Sequence, residues 1–251
     1  MNRRKFLRIS ATSACGLLVA GIAYKLIGPS DPLYSFHKST KKVLTDRFGK
    51  IQTDELMKDI QTEYANLAPS VPYIGGKQNM FTEWLDYGVY FLSVYRVLKH
   101  AGYSINQVGK TIYRTYETMA DYPKWFLNVV GRLKYGKSYV SHLSRACDES
   151  QKRQYPWDWV CTFIAGDGQQ FDYGLDITEC GICKLYAAHN AMELAPYMCL
   201  SDFVVSKAFD RGLVRYHTIA EGDDLCDFRY KAGRETFVSP LRRGWPPQFA
   251  S

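Results

Sequence analysis

The feature that most constrains the fold is a change of period at Pro156. Upstream, apolar residues recur at helical spacing. Trp84, Leu85, Val89, Leu92, Tyr95 and Leu98 fall on one face of a segment running from Phe81 to His100, and Gly102 follows as a C-terminal stop. Residues 104–119 and 123–134 read as two more helices, with Ser104 and Asp121 as their starts. Downstream, "WVCTFIAG" and "QFDYGLDI" are β-rich, and in the second Phe171, Tyr173, Leu175 and Ile177 alternate with Gln170, Asp172, Gly174 and Asp176. Gly166-Asp167-Gly168 supplies a hairpin turn between them. Two helices follow, 178–194 and 197–210, divided at Pro196, and "LVRYHTI" with "LCDFRY" then forms a second hairpin around 220–224. Helices, hairpin, two helices, hairpin is an α+β order, with an antiparallel sheet packed on helices.

The N-terminus has a different character. Residues 1–27 carry Arg3-Arg4, then Phe6 and Leu7, then a modestly apolar run rich in Ala and Gly, the pattern of a twin-arginine export signal. The expected partner is the twin-arginine translocase and the expected location is the periplasm. The alternative is retention as an anchor, with membrane contact only through this segment, although the run is short for a spanning helix. Residues 28–79, interrupted by Pro29, Pro32, Pro69 and Pro72, are expected to be short helices and loops. The domain proper then spans 80–232, and 233–251 is a tail.

Charge excludes one class of partner. The formal charge is +7, but Arg3, Arg4, Lys5, Arg8 and Lys25 supply five of those charges with no acid beside them, leaving +2 beyond the signal. Nucleic acid is therefore not expected as a partner. With 46% hydrophobic residues the chain is globular, and its 19 tyrosines and 13 phenylalanines are enough to line a small-molecule pocket.

The last hairpin invites a register. Pairing Ile219 with Leu225 sets His217 opposite Asp227 and Arg215 opposite Arg229. One face then holds Val214, Tyr216, Thr218, Cys226, Phe228 and Tyr230, and the other holds Arg215, His217, Asp227 and Arg229. Two facing arginines call for an anion between them, and an aspartate opposite a histidine fixes its tautomer. The bland reading of the same face is a solvated surface with a weak ion pair.

The thiols concentrate in "CGICKLYAAHNAMELAPYMCLSDF", residues 180–203. Cys180 and Cys183 share a helix face, as do Cys199 and Asp202 on the next helix. With Cys226 on the hairpin, four sulfurs converge if the helices pack on that strand. Such a set suits zinc or an iron–sulfur cluster, a nucleophile, or, in an oxidising compartment, a Cys180–Cys183 disulfide. Packing alone accounts for Cys147 and Cys161.

"VPYIGG" with Asn79, "CGICK" at 180–184, Cys199 with Asp202, and "GDDLCDFRY" at 222–230 resemble the L-2-amino-thiazoline-4-carboxylic acid hydrolase family, over roughly residues 70–231. The last block is also distantly similar to the closing strands of vinyl-reductase-type and TRAPP-type domains, which implies a small-molecule-binding α+β fold. The family resemblance implies hydrolysis of a cyclic amidine that carries a carboxylate. Such chemistry needs a nucleophile or activated water, an acid/base group and a cation. On side-chain chemistry the candidates are Cys199 beside Asp202, His217 oriented by Asp227, and Arg215 with Arg229 for the carboxylate. In the metal alternative Cys180, Cys183, Cys199 and Cys226 are ligands and the metal activates water. A reading of another class is an exported binding or sensing module that uses the same pocket without turnover.

Overall fold

The computed structural model describes residues 32–239 and 241, so the twin-arginine segment and most of the tail lie outside the described residues. Two long helices open the described chain, α1 (Pro32–Phe48) and α2 (Lys50–Leu67), where short helices and loops were expected. The prolines bracket these helices instead of interrupting them. Pro32 stands at the first helical position, where its missing N–H costs nothing, and Pro69 falls in the 3₁₀ turn that follows α2. Leu56, Met57 and Ile60 give α2 its buried stripe, and Phe36, Leu44 and Ile60 join the same hydrophobic cluster as Val89, Ile112 and Tyr173.

The expected central helices are present as α3 (Thr82–His100), α4 (Ile105–Met119) and α5 (Lys124–Leu133). Ser104 caps α4 in a reciprocal box. The Gln107 N–H donates to Ser104 Oγ, and the Ser104 N–H donates to Gln107 Oε1. Asp121 starts nothing, because α5 is preceded by Pro123. A further helix, α6 (Lys137–Ser150), not expected from the sequence, buries Leu143, Cys147 and Ser150 at helical spacing.

The strands are β1 (Val160–Ala165), β2 (Tyr173–Glu179), β3 (Leu213–Arg215), β4 (Cys226–Tyr230) and β5 (Phe237–Val238), in the order β1-β2-β4-β3-β5. The pairs are antiparallel except β3 with β5, which run parallel. Between β2 and β3 lie α7 (Gly181–Ala188), α8 (Ala195–Cys199) and α9 (Ser201–Ala208). Pro196 stands in the first turn of α8, and the break comes earlier, at residues 189–194. The molecule is α+β, with a mixed five-stranded sheet on helices.

The alternation of β2 holds. Tyr173, Leu175 and Ile177 face inward beside Tyr230, Phe228 and Cys226 of β4. The register expected for β3 does not, and the true one is shifted by one residue. Leu213 pairs with Tyr230 and Val214 with Arg229, so Val214 shares the outer face with Arg229 and Arg215 turns inward over the Phe228 ring, 5.2 Å from its centroid. Pattern reading put the arginine outside because charge avoids burial. Here a carboxylate from α9 meets it inside, and a three-residue strand leaves the pattern little to act on.

α6 and β1 are also joined covalently. Cys147 and Cys161, expected only to pack, form a disulfide with Cα atoms 5.0 Å apart.

Candidate active site

An ion pair, Arg215 with Asp202, lies at the inner face of β3–β4, and the free thiols among the described residues, Cys180, Cys183, Cys199 and Cys226, fall on the elements around it. Arg215 is 2% exposed. It donates through Nη1 to Asp202 Oδ2 at 2.5 Å and through Nη2 to the Cys199 carbonyl at 3.0 Å, while its buried Nε has no partner. Asp202, in the first turn of α9, keeps 38% of its side chain exposed. Burial raises its carboxyl above the usual range, and Arg215 opposes that shift.

Cys180 precedes α7 as its N-cap residue, and at the next position only glycine fits, because a Cβ on Gly181 would lie 2.6 Å from the Trp159 ring and 2.8 Å from the Trp157 carbonyl oxygen. Cys183 is one turn on and buried. Cys199 ends α8, and Cys226 opens β4, where its sulfur accepts the Ile219 N–H at 3.3 Å. The thiols feel one another's charge: Cys183 senses Cys180, Cys199 and Cys226, and Cys199 senses Cys226, Asp202 and Cys180.

Their ionisation is unequal. The Cys183 thiol draws the Cys180 pKa down, and the N–H groups of Cys183 and Ile182 at the helix start add to that pull, although burial works against it. The Cys180 sulfur makes no capping hydrogen bond of regular geometry, so the N–H groups act as converging dipoles. Cys183 is pushed up by its interaction with Cys180 and by burial, Cys199 is pushed well up by burial, and Cys226 is pushed up by burial to about 12. Among the free thiols of the described residues, Cys180 is the one biased toward thiolate.

The expected site residues therefore divide between two faces. Cys180, Cys183, Cys199, Cys226, Asp202 and Arg215 share the inner side. His217, Asp227 and Arg229 belong to the outer side, because Asp227 and Arg229 alternate with the inward Cys226, Phe228 and Tyr230. His217 is exposed and held by Asp227, whose carboxylate takes the His217 N–H at 2.6 Å and contacts Nδ1 at 3.1 Å. Arg229 bonds Asp176 at 2.7 Å. The anion site expected between facing arginines is thus replaced by two arginines on opposite faces, each paired with its own carboxylate. Cys199 and His217 do not meet. As for the metal alternative, among the described residues no three His, Cys, Asp or Glu side chains are arranged to hold a metal ion.

Asp158 was not singled out by the sequence. It receives the Asn79 amide at 2.5 Å and the Trp159 N–H, and burial raises its carboxyl. Asn79 also donates to the Ile74 carbonyl, so the "VPYIGG" loop is tied down onto Asp158. A cavity of about 520 Å³ opens there, between Tyr73, Asn79, Arg145, Arg153, Tyr155 and Asp158. Lys184 bridges the Asp158 carbonyl and Glu179, the residue before Cys180. The cavity wall and the thiol cluster thus share one strut.

A family model described as L-2-amino-thiazoline-4-carboxylic acid hydrolase matches residues 106–230. This segment is similar to that family. It runs from α4 to the end of β4 and carries the four free thiols found among the described residues, with Asp202 and Arg215. The name is that of a hydrolase, and hydrolase-type chemistry is what the thiol cluster has to be measured against. No curated protein and no solved structure matches the chain.

Proposed function

We propose that this chain is a cysteine-dependent hydrolase that opens a cyclic amidine bearing a carboxylate, of the thiazoline type, after twin-arginine export. The observation that carries the reading is Cys180 at the N-cap position of α7, beside Cys183 and within reach of the Asp202 charge. Cys180 takes the nucleophilic role expected of Cys199, whose thiol stays protonated through burial. The thiolate adds to the ring carbon between nitrogen and sulfur, the ring carbon–sulfur bond breaks, and the departing sulfur takes up a proton. Water then attacks the same carbon and expels the Cys180 thiolate, so that one water is consumed and a carbamoyl-cysteine is released. Asp202 and the Cys199 carbonyl hold the Arg215 guanidinium in place, so the positive charge that offsets the thiolate is fixed by the fold.

The Cys147–Cys161 disulfide supports the exported location, since such bonds persist in oxidising compartments. The test is turnover of 2-amino-thiazoline-4-carboxylate by the purified, thiol-reduced protein, followed by chromatography of the product. Cys180→Ser is expected to lose activity by more than about a hundredfold, and His217→Ala to keep it within about twofold. A Cys180→Ser protein as active as the parent removes the mechanism, and an inert parent removes the substrate class.

A further inference from the structure

The pair Cys180 and Cys183 has a geometry that hydrolysis alone does not require. Two cysteines separated by two residues, the first at the N-cap and the second one turn into the helix, place their sulfurs side by side over the helix start. Both are free here, while Cys147 and Cys161 in the same molecule are joined. Cys199 and Cys226 belong to other elements, whereas α7 and its N-cap supply two thiols one helical turn apart.

We infer that Cys180 and Cys183 form a reversible dithiol–disulfide couple that reacts with low-molecular-weight disulfides. The Cys180 thiolate attacks one sulfur of the small disulfide, the S–S bond of that molecule breaks, and one thiolate leaves. The Cys183 sulfur then attacks the Cys180 sulfur of the mixed disulfide, forming the Cys180–Cys183 bond and releasing the second small thiolate. Two electrons pass from the protein to the small disulfide, and the protons of the two protein thiols end on the two small thiols. The charge pattern suits this order. The Cys183 thiol and the helix N–H groups favour the thiolate at Cys180, the attacking position, and Cys183 keeps its proton until the mixed disulfide has formed.

The consequence for turnover rests on the reading of Cys180 as nucleophile: the oxidised form has no thiolate to attack with. The couple itself is read without any substrate. Folded protein is equilibrated with glutathione disulfide and glutathione at a series of ratios, free thiols are blocked by alkylation at low pH, and disulfides are mapped by peptide mass spectrometry. The expected result is a Cys180–Cys183 bond that forms and reverses with the ratio, with Cys199 and Cys226 alkylated throughout and Cys147–Cys161 intact. Cys183→Ser is expected to accumulate the glutathione adduct at Cys180, while Cys180→Ser accumulates none at Cys183. Failure of the bond to form in the folded protein, pairing of Cys180 with Cys199 or Cys226, or an adduct that builds up equally in the parent and in Cys183→Ser overturns the inference. Loss of hydrolysis without this mapped bond counts only against the catalytic reading.

Discussion

The ion pair at the centre of the site is asymmetric, and that asymmetry can be measured. Arg215 is sealed in, whereas Asp202 reaches water with over a third of its side chain. Removing the carboxylate strands a buried guanidinium, while removing the guanidinium leaves a carboxylate that can hydrate. Asp202→Asn is expected to cost about 3 kcal/mol in urea unfolding, and Arg215→Met, which keeps the packing on Phe228, about 1 to 2 kcal/mol. The reverse order would mean that Asp202 is the group that cannot be solvated. The thiols predict a pH dependence of definite sign. Cys183, Cys199 and Cys226 titrate above their unfolded values, so at alkaline pH the unfolded chain has released protons that the folded chain still holds, and stability falls as pH rises. For Cys226 the loss begins near pH 9, where a free thiol titrates, and continues to its folded value of about 12. By pH 10 it should reach about 1 to 1.5 kcal/mol. Cys226→Ala should flatten the decline between pH 8 and 10 by that amount, and an unchanged slope would show that the thiol is not shielded.

At the scale of elements, helix α5 is positioned by an absence. A Cβ on Gly131 would collide with the Phe209 carbonyl just beyond α9, which is backbone and cannot swing away. Alanine is a better helix former than glycine by about 1 kcal/mol, yet Gly131→Ala should be destabilised by about 2 kcal/mol net, because the two elements must separate. A rise in melting temperature would show instead that they part easily. The capping box of α4 is a simpler case, and there the sequence was sufficient: Ser104 and Gln107 announce the helix, and Ser104→Ala should lose about 1 kcal/mol. Where the sequence failed, it failed for identifiable reasons. Helix α6 was passed over because only Leu143 in its buried stripe is a large apolar residue, and α1 and α2 were broken up by prolines that flank them. The β3 register slipped because the rule that places charge outside has no knowledge of Asp202, a residue on another element. That Cys180 and Cys183 stand one helical turn apart was legible from spacing. The side of the sheet on which His217 and Arg229 stand was not.

Across the whole molecule, cysteine chemistry is divided in two. The Cys147–Cys161 bond ties α6 to β1, an edge strand of the sheet, and closes a short loop 14 residues apart in sequence. The free thiols sit on the far side of β2, over β4 and beneath α7 and α8. Closing a loop of that length should contribute about 3 kcal/mol, mainly by restricting the unfolded chain. Replacing both cysteines by alanine should therefore lower stability by about that amount without changing the thiol cluster, since the Ser150 hydroxyl that binds the Cys161 backbone remains. Reductant provides the internal control. The parent should melt at a lower temperature when reduced, and the Cys147→Ala/Cys161→Ala protein should melt at one temperature with or without reductant. If reductant shifts the double variant as well, a second disulfide, at Cys180–Cys183 or elsewhere, is stabilising the fold. If it shifts neither, the α6–β1 bond contributes nothing and the compartment argument built on it falls. Under the proposed export and mechanism, this division lets one molecule meet an oxidising exterior and keep a nucleophile. The structural bond closes an edge of the sheet, and the reactive thiols lie under helices where their own neighbours set how readily they ionise.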